Sequence, residues 1–254
     1  MKTTEESVVT AMDGTDPDIF SFLPYILQDF WEIGTSPGEV TALLEKRNPD
    51  HRTEVLDLGC GKGVVSIKLA ETFGCRCLGI DAIKEFIGDA NNKAEETGVD
   101  SLCTFRVADI REEIRNTGLY DVIVLGAIGR VFGGYDETLA TILPHLKNRG
   151  VVIIDDAYIE APDGISHPSV LGKAELLRQV DSAGMKISAE IRAQEDISED
   201  HEKEFQLLTG RCYELISQYP EKASLFQDYI NNQQKEYTTM ENDMVCAVML
   251  LERK

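Results

Sequence analysis

Basic stretches are missing from this chain. Lys and Arg number 25 against 45 Asp and Glu, for a formal charge of −20, and the basic residues gather into nothing longer than EKR or ERK. An acidic surface repels phosphate backbones, so tight nucleic-acid binding is excluded as an expectation. Long apolar runs are missing too: none approaches the roughly 20 residues that span a bilayer, and no membrane insertion is expected. The opening MKTTEESVVTAMDGTD lacks the basic-then-apolar order of a signal peptide, which makes a cytoplasmic location the default. Cys60, Cys75, Cys77, Cys103, Cys212 and Cys246 form no CxxC, and His51, His145, His167 and His201 form no HxxxH. Disulfides and structural zinc are therefore not expected.

What is present is an alternation. The stretch DIFSFLPYILQDFWEIG has helical periodicity. SPGEVTALLEKR offers Ser36 as N-cap, Pro37 at the first helical position and Glu39 to close a capping box. Apolar segments then alternate with helical ones: TEVLDLG, RCLGID, LCTFRVAD, YDVIVLGAI and GVVIIDDAY read as five strands, the last following NRG as a turn. DETLATILPHLKN reads as the helix before that turn, and ISHPSVLGKAELLRQVDSAG as a helix leading to a sixth strand, MKISAEIRA. Residues 197–237 look helical and amphipathic, and DMVCAVMLLER is a seventh strand. Short Val/Ile/Leu-rich strands with little polar alternation belong to a parallel sheet covered on both faces. Strand–helix repetition makes the sheet doubly wound, with a reversed final hairpin. One domain is expected: a helical cover over 1–50, a core over 51–195, a helical insertion over 196–240 and the final strand over 241–254.

The stretch TEVLDLGCGKGVVSIKLAETF carries the chemistry. Gly59, Gly61 and Gly63 stand where a strand ends and a helix begins, which is where doubly wound sheets bind ligands, and glycine lets a ligand approach the backbone. A dinucleotide site wants G-x-G-x-x-G, but here the third glycine comes one residue early. Asp57, just upstream, would repel a pyrophosphate and attract an amino-acid ammonium. Both points weigh against the alternative of an NAD-dependent dehydrogenase.

At these residues the sequence resembles the class I S-adenosylmethionine-dependent methyltransferases, closest in appearance to the ubiquinone/menaquinone-biosynthesis type. VLDLGCGKG reads like the first motif of that family. The resemblance implies the Rossmann-like methyltransferase fold, S-adenosylmethionine as cofactor and S-adenosylhomocysteine as product. Asp57, Gly59, Cys60 and Gly61 would then line the cofactor. Asp81 with Ala82 would hold its ribose, Asp109 with Ile110 its adenine, and Gly126 its methionine part. Gly34 and Ser36 are further candidates near the carboxylate.

The acceptor side carries fewer signals. A sulfonium is already a good leaving group, so alignment supplies much of the rate, and a base is needed only for a protonated nucleophile. Asp156 and His167 are the candidate proton acceptors, and Arg130 could hold an anionic group; each has a plainer reading as loop or cap. Adjacent Asp155 and Asp156 invite a metal, but neighbours in a strand point to opposite faces, so no metal is expected. The aromatics of the N-terminal segment and of the insertion (Phe205, Tyr213, Tyr219, Phe226, Tyr229) are pocket walls or plain core. A lidded pocket implies a small-molecule acceptor, its atom open among C, N, O and S. The competing reading is a cofactor-binding or interaction protein without turnover, because fold does not fix chemistry.

Overall fold

The computed structural model describes residues 2–160, 167, 170–193 and 198–254. The first helix, α1 (Thr4–Ala11), is one the apolar pattern does not announce. Thr3 Oγ1 accepts from the Glu6 N–H at 3.1 Å and Glu6 Oε2 accepts from the Thr3 N–H at 2.7 Å, a reciprocal box that satisfies two orphan donors. The stretch expected as one N-terminal helix is broken: Pro17–Phe22 is a 3-10 helix and α2 (Leu23–Ile26) a single α-turn. Pro24 has no N–H to give and cannot sit inside a continuous helix. In α3 (Pro37–Glu45) the Ser36 half of the capping box forms, Oγ accepting from the Glu39 N–H at 3.4 Å.

The sheet follows. β1 (Glu54–Leu58), α4 (Val64–Phe73), β2 (Arg76–Asp81), α5 (Lys84–Thr97), β3 (Cys103–Val107), α6 (Ile110–Glu113), β4 (Tyr120–Gly126), α7 (Tyr135–Ile142) and β5 (Leu146–Ile159) alternate as the sequence predicts. Then come β6 (Leu171–Gly172), α8 (Lys173–Ser182), β7 (Met185–Arg192), α9 (Ser198–Gln218), α10 (Ala223–Asp243) and β8 (Val245–Arg253). The strand order is β3-β2-β1-β4-β5-β8-β7, with short β6 paired to the end of β5. β1, β2, β3, β4 and β5 pair in parallel, while β8 runs antiparallel to β7. The expected mostly parallel sheet with a reversed final strand is present, seven strands in line and β6 as an eighth.

Three local expectations are corrected. NRG is not a turn: β5 already pairs at Leu146 with Tyr120, bulges, and resumes with Val151 opposite Val122, because an extra ladder contact outweighs the turn preference of Asn and Gly. Gly150 fits this bulge, since a Cβ there would lie 2.7 Å from Leu146 Cδ1. The helix read from Ile165 starts at Lys173, after β6; residues 165, 166, 168 and 169 lie outside the described residues. Outer strand β3 alternates buried and exposed residues over its first half, as an edge strand does, whereas Val55, Leu56, Leu58, Ile123, Val124 and Ile153 are wholly buried.

Two compact units are recognisable. One comprises the N-terminal segment through Trp31 with Ala193–Val245; the other comprises Glu32–Arg192 with Cys246–Lys254, which is the sheet and its helices. Within the helical unit Phe22 meets Phe226 and Tyr219 edge-on at 5.0 and 5.5 Å; Phe226 is core to that unit, whereas Tyr219 is exposed. Arg211 holds Asp29 through two hydrogen bonds of 2.6 and 2.9 Å, and Tyr25 donates to Glu214 at 2.6 Å. Among the described residues no helix is long and apolar enough to cross a membrane.

Candidate functional site

Strand order reverses between β1 and β4, where the loops leaving the two strands diverge and open a crevice. The loop after β1 is the glycine turn. Gly59, Gly61 and Gly63 all have left-handed backbone, with φ of +73, +52 and +77°. The Gly59 and Cys60 amides both donate to the Ile80 carbonyl, at 2.8 and 3.1 Å, and the Gly63 amide donates to Cys60 O at 2.8 Å. The Cys60 thiol lies under the turn, buried against Gly79, and burial pushes its pKa well up. The glycines differ in what surrounds them. A Cβ on Gly63 would come within 2.7 Å of the Phe105 ring, but one on Gly61 would meet nothing within 4 Å. Gly63 is glycine for packing; Gly61 has its open side toward empty space.

Acidic side chains end or follow the neighbouring strands, and one of them holds Gly61. Asp81, ending β2, is 9% exposed, and its Oδ2 accepts from the Gly61 N–H at 2.9 Å while Oδ1 accepts from the Ile83 N–H at 2.8 Å. Burial raises its pKa, against the pull of these amides and that of Ala82. A carboxylate has about four lone-pair sites, so these amides leave capacity for a further donor. Asp57 is buried and takes the Ser66 hydroxyl on Oδ2 at 2.7 Å. Burial pushes Asp57 up to about 6, the Ser66 hydroxyl opposing and the Asp81 charge adding. Asp109 caps α6 through the Arg111 N–H at 2.8 Å and also pairs with the Arg111 guanidinium; Ile110 behind it is buried.

The other wall is the end of β4. Gly126 is pressed by Thr35, whose Oγ1 would stand 2.3 Å from a Cβ there, and Gly34 is pressed by Ala127. Ala127 has φ +52°, a left-handed conformation that costs a non-glycine residue on the order of 1–3 kcal/mol. Its N–H is held by the Asp155 carbonyl at 3.1 Å. The adjacent aspartates of β5 take different partners. Asp155 interacts with Thr35 and Glu39, whereas Asp156 Oδ2 accepts from the Tyr135 hydroxyl at 2.8 Å and its Oδ1 from the Ala157 N–H at 2.8 Å. They point apart, as the strand alternation requires. A small cleft with a free volume of about 30 Å³ lies between Ile128, Arg130, Tyr135, Thr138, Asp155 and Asp156. Tyr135 is the residue that sequence reasoning missed: nothing in its spacing links it to Asp156. His167 is half-buried.

Of the sequence-predicted residues, Asp57, Gly59, Cys60, Gly61, Asp81 and Ala82 are thus brought together around one turn, with Gly126 beside it on β4. Asp109 and Ile110 stand at the end of β3. Ser36 is occupied as a helix cap, and the polar atom left over belongs to its neighbour: Thr35 Oγ1 is buried with no well-formed hydrogen bond among the described residues. These features fit S-adenosylmethionine. Gly61 leaves a cradle that any side chain would fill, Asp81 offers free lone pairs to a diol, and the β4 end holds a polar atom in want of a partner.

Comparison with known proteins agrees. The chain matches the methyltransferase-domain family over residues 49–243. A ubiquinone biosynthesis O-methyltransferase of Rickettsia akari is 30% identical over 103 residues, covering 41% of this chain and 39% of that protein. A protein-lysine N-methyltransferase of Saccharomyces cerevisiae is 39% identical over 71 residues, 28% of this chain and 31% of that one. The alignments therefore span well under half the length of these curated relatives. A Geobacter sulfurreducens S-adenosylmethionine-dependent methyltransferase, solved with S-adenosylhomocysteine, superposes with a TM-score of 0.77 at 20% identity over 92% of this chain and 98% of that one. The chain thus belongs to the methyltransferase-domain family, with the fold of the class I S-adenosylmethionine-dependent enzymes.

Proposed function

We propose that this protein transfers a methyl group from S-adenosylmethionine to a small-molecule acceptor. The observation that carries the reading is Gly61: a left-handed glycine with an open side, its amide fixed by the acid that ends β2. Gly59 and Cys60 shape the turn, and the Asp81 oxygens serve the ribose hydroxyls beside Ala82. Asp109 and Ile110 flank the adenine, and Gly126 with Asp57 bounds the amino-acid end. S-Adenosylmethionine carries its methyl on a sulfonium and so brings the electrophile ready-made.

The chain's own contribution is orientation and proton handling. Asp156 is the residue we assign to the acceptor's proton. It is largely enclosed, which raises its pKa, while the Tyr135 hydroxyl, the Ala157 N–H and Arg130 favour its charged form. His167 is the second candidate for that role. A net charge of −20 disfavours a nucleic-acid acceptor, and the small-molecule O-methyltransferase among the relatives supports a small one. All six cysteines are free, which suits a reducing cytoplasm. Calorimetric titration with S-adenosylhomocysteine, with NADH run beside it, tests the reading. Micromolar binding of the first alone is expected; binding of NADH alone overturns it, and binding of neither points to a scaffold without turnover.

A further inference from the structure

Thr35 is 3% exposed and its Oγ1 is left without a well-formed hydrogen bond among the described residues. A hydroxyl that only leans on the Asp155 carboxyl keeps a lone pair on Oγ1 for a further donor. The groups facing it are acids. Asp155 lies within reach of the Thr35 hydroxyl, Glu39 reaches it from the first turn of α3, and Asp156 follows on the same strand. Burial pushes Asp155 up to about 7, the Thr35 hydroxyl opposing and the Glu39 and Asp156 charges adding. The side chains acting on Asp155 are the Thr35 hydroxyl and the Glu39 and Asp156 carboxylates, whereas Arg130 acts on Asp156 and Tyr135. Gly126, opposite Asp155 across β4 and β5, is the floor, and a Cβ there would meet Thr35 Oγ1 at 2.3 Å. A hydroxyl and two carboxylates thus converge here, while the neighbouring cation, Arg130, acts on Asp156.

We propose that Thr35, Glu39 and Asp155 form a subsite for a primary ammonium group. An ammonium brings three donors and one charge. One N–H satisfies Thr35 Oγ1, the others meet the carboxylates, and the charge removes the penalty that keeps Asp155 protonated. Association therefore expels a proton from Asp155 to solvent, and affinity falls roughly tenfold per pH unit below 7. The ammonium has two sources: the α-amino group of S-adenosylmethionine or the nitrogen of an amine acceptor. The first source rests on the methyl-transfer reading above; the second does not need it.

The test is calorimetry at pH 6.5 in two buffers of different ionisation enthalpy, on the wild type, Asp155→Asn and Thr35→Val. The ligands are S-adenosylhomocysteine, its analogue without the α-amino group, and ethylammonium chloride added to protein with and without S-adenosylhomocysteine. If the cofactor supplies the ammonium, S-adenosylhomocysteine releases a proton and the deaminated analogue does not. Asp155→Asn then abolishes the release and weakens S-adenosylhomocysteine at least tenfold at pH 8, leaving the analogue unchanged. If an acceptor supplies it, S-adenosylhomocysteine is indifferent to Asp155→Asn and ethylammonium binds with proton release that the variant loses. Asp57, raised to about 6, and Glu39, Asp81 and Asp156, each raised by burial, are the other acids nearby, and Asp155→Asn separates their protons from that of Asp155. Thr35→Val, nearly isosteric, is expected to fold and to weaken the same ligand about tenfold, which covers the case in which Asp155→Asn does not fold. Absence of proton release and of ethylammonium binding, with affinities unchanged in both variants, overturns the subsite. A wild type that ignores S-adenosylhomocysteine but takes ethylammonium sinks the methyl-transfer reading and leaves the subsite standing.

Discussion

Replacing Gly61 by Ala separates binding from folding. The added methyl meets no protein atom within 4 Å, so no packing is disturbed. What remains is the backbone: an L residue at φ +52° costs about 1–2 kcal/mol relative to glycine, which for a chain of this size lowers Tm by roughly 2–8 °C. The methyl occupies the space assigned to the cofactor, so S-adenosylhomocysteine affinity should fall at least tenfold, about 1.4 kcal/mol. Gly63→Ala is the control. Its φ is similarly left-handed at +77°, but its methyl lands 2.7 Å from Phe105 and 2.9 Å from Ala90, adding an overpacking cost of about 1–3 kcal/mol. Thermal unfolding and calorimetric titration of both variants should therefore rank them oppositely: Gly63→Ala less stable, Gly61→Ala the weaker binder. Wild-type affinity in a folded Gly61→Ala protein would refute the placement of the cofactor and the argument from open space.

Asp13 in the helical unit is pushed up to about 7, by burial first, then by the Glu236 charge, with Gln233 opposing. A raised carboxyl stabilises the fold below its unfolded pKa and loses that contribution as pH rises through about 7. Asp13→Asn should thus be about 1–2 kcal/mol more stable than wild type at pH 8 and equal to it at pH 3.5 in urea unfolding, the figure being discounted for partial exposure; Asn accepts the left-handed φ of +59°. Tyr135→Phe deletes a donor that favours ionised Asp156, so an NMR titration of the carboxyl carbons should show Asp156 protonating at higher pH, and an unmoved titration would dismiss the contact. Asp156→Asn and His167→Ala should leave S-adenosylhomocysteine affinity nearly unchanged and lower turnover if either takes the acceptor's proton; full turnover in both returns them to ordinary loop residues.

The glycine turn and the acid that ends β2 were legible because their demands are written in residue type. A turn with three left-handed positions needs glycine, and a carboxylate closing β2 needs Asp, so Gly59, Gly61, Gly63 and Asp81 stand out without a structure. Thr35 does not. Its neighbours Gly34 and Ser36 attract attention as a glycine and a cap, whereas its importance comes only from contact with Gly126 and Asp155, which are remote in the chain. Tyr135 reads as a helix residue until the fold brings it to Asp156. Local turn preference misled at NRG, where pairing with β4 prevailed, and at the N-terminus a helix-period pattern gave way at Pro24. Conversely, Thr3 and Glu6 carried a cap signal for α1 that apolar periodicity alone passes over.

The position of β8 has a kinetic meaning. It is the last strand in sequence but an interior one, lying between β5 and β7, so the sheet stays split until Val245–Arg253 is inserted. Its ladder with β7 joins residues non-local in the chain, from Arg192 with Ala247 to Met185 with Arg253, and such pairings are slow because loop closure must precede their reward. During synthesis, β5 and β7 would wait with open edges of the kind that recruit other chains. Completion of the sheet thereby waits for Val245–Arg253, and a chain cut short before Val245 should leave the ribosome aggregation-prone even though every residue proposed for the cofactor has already been made.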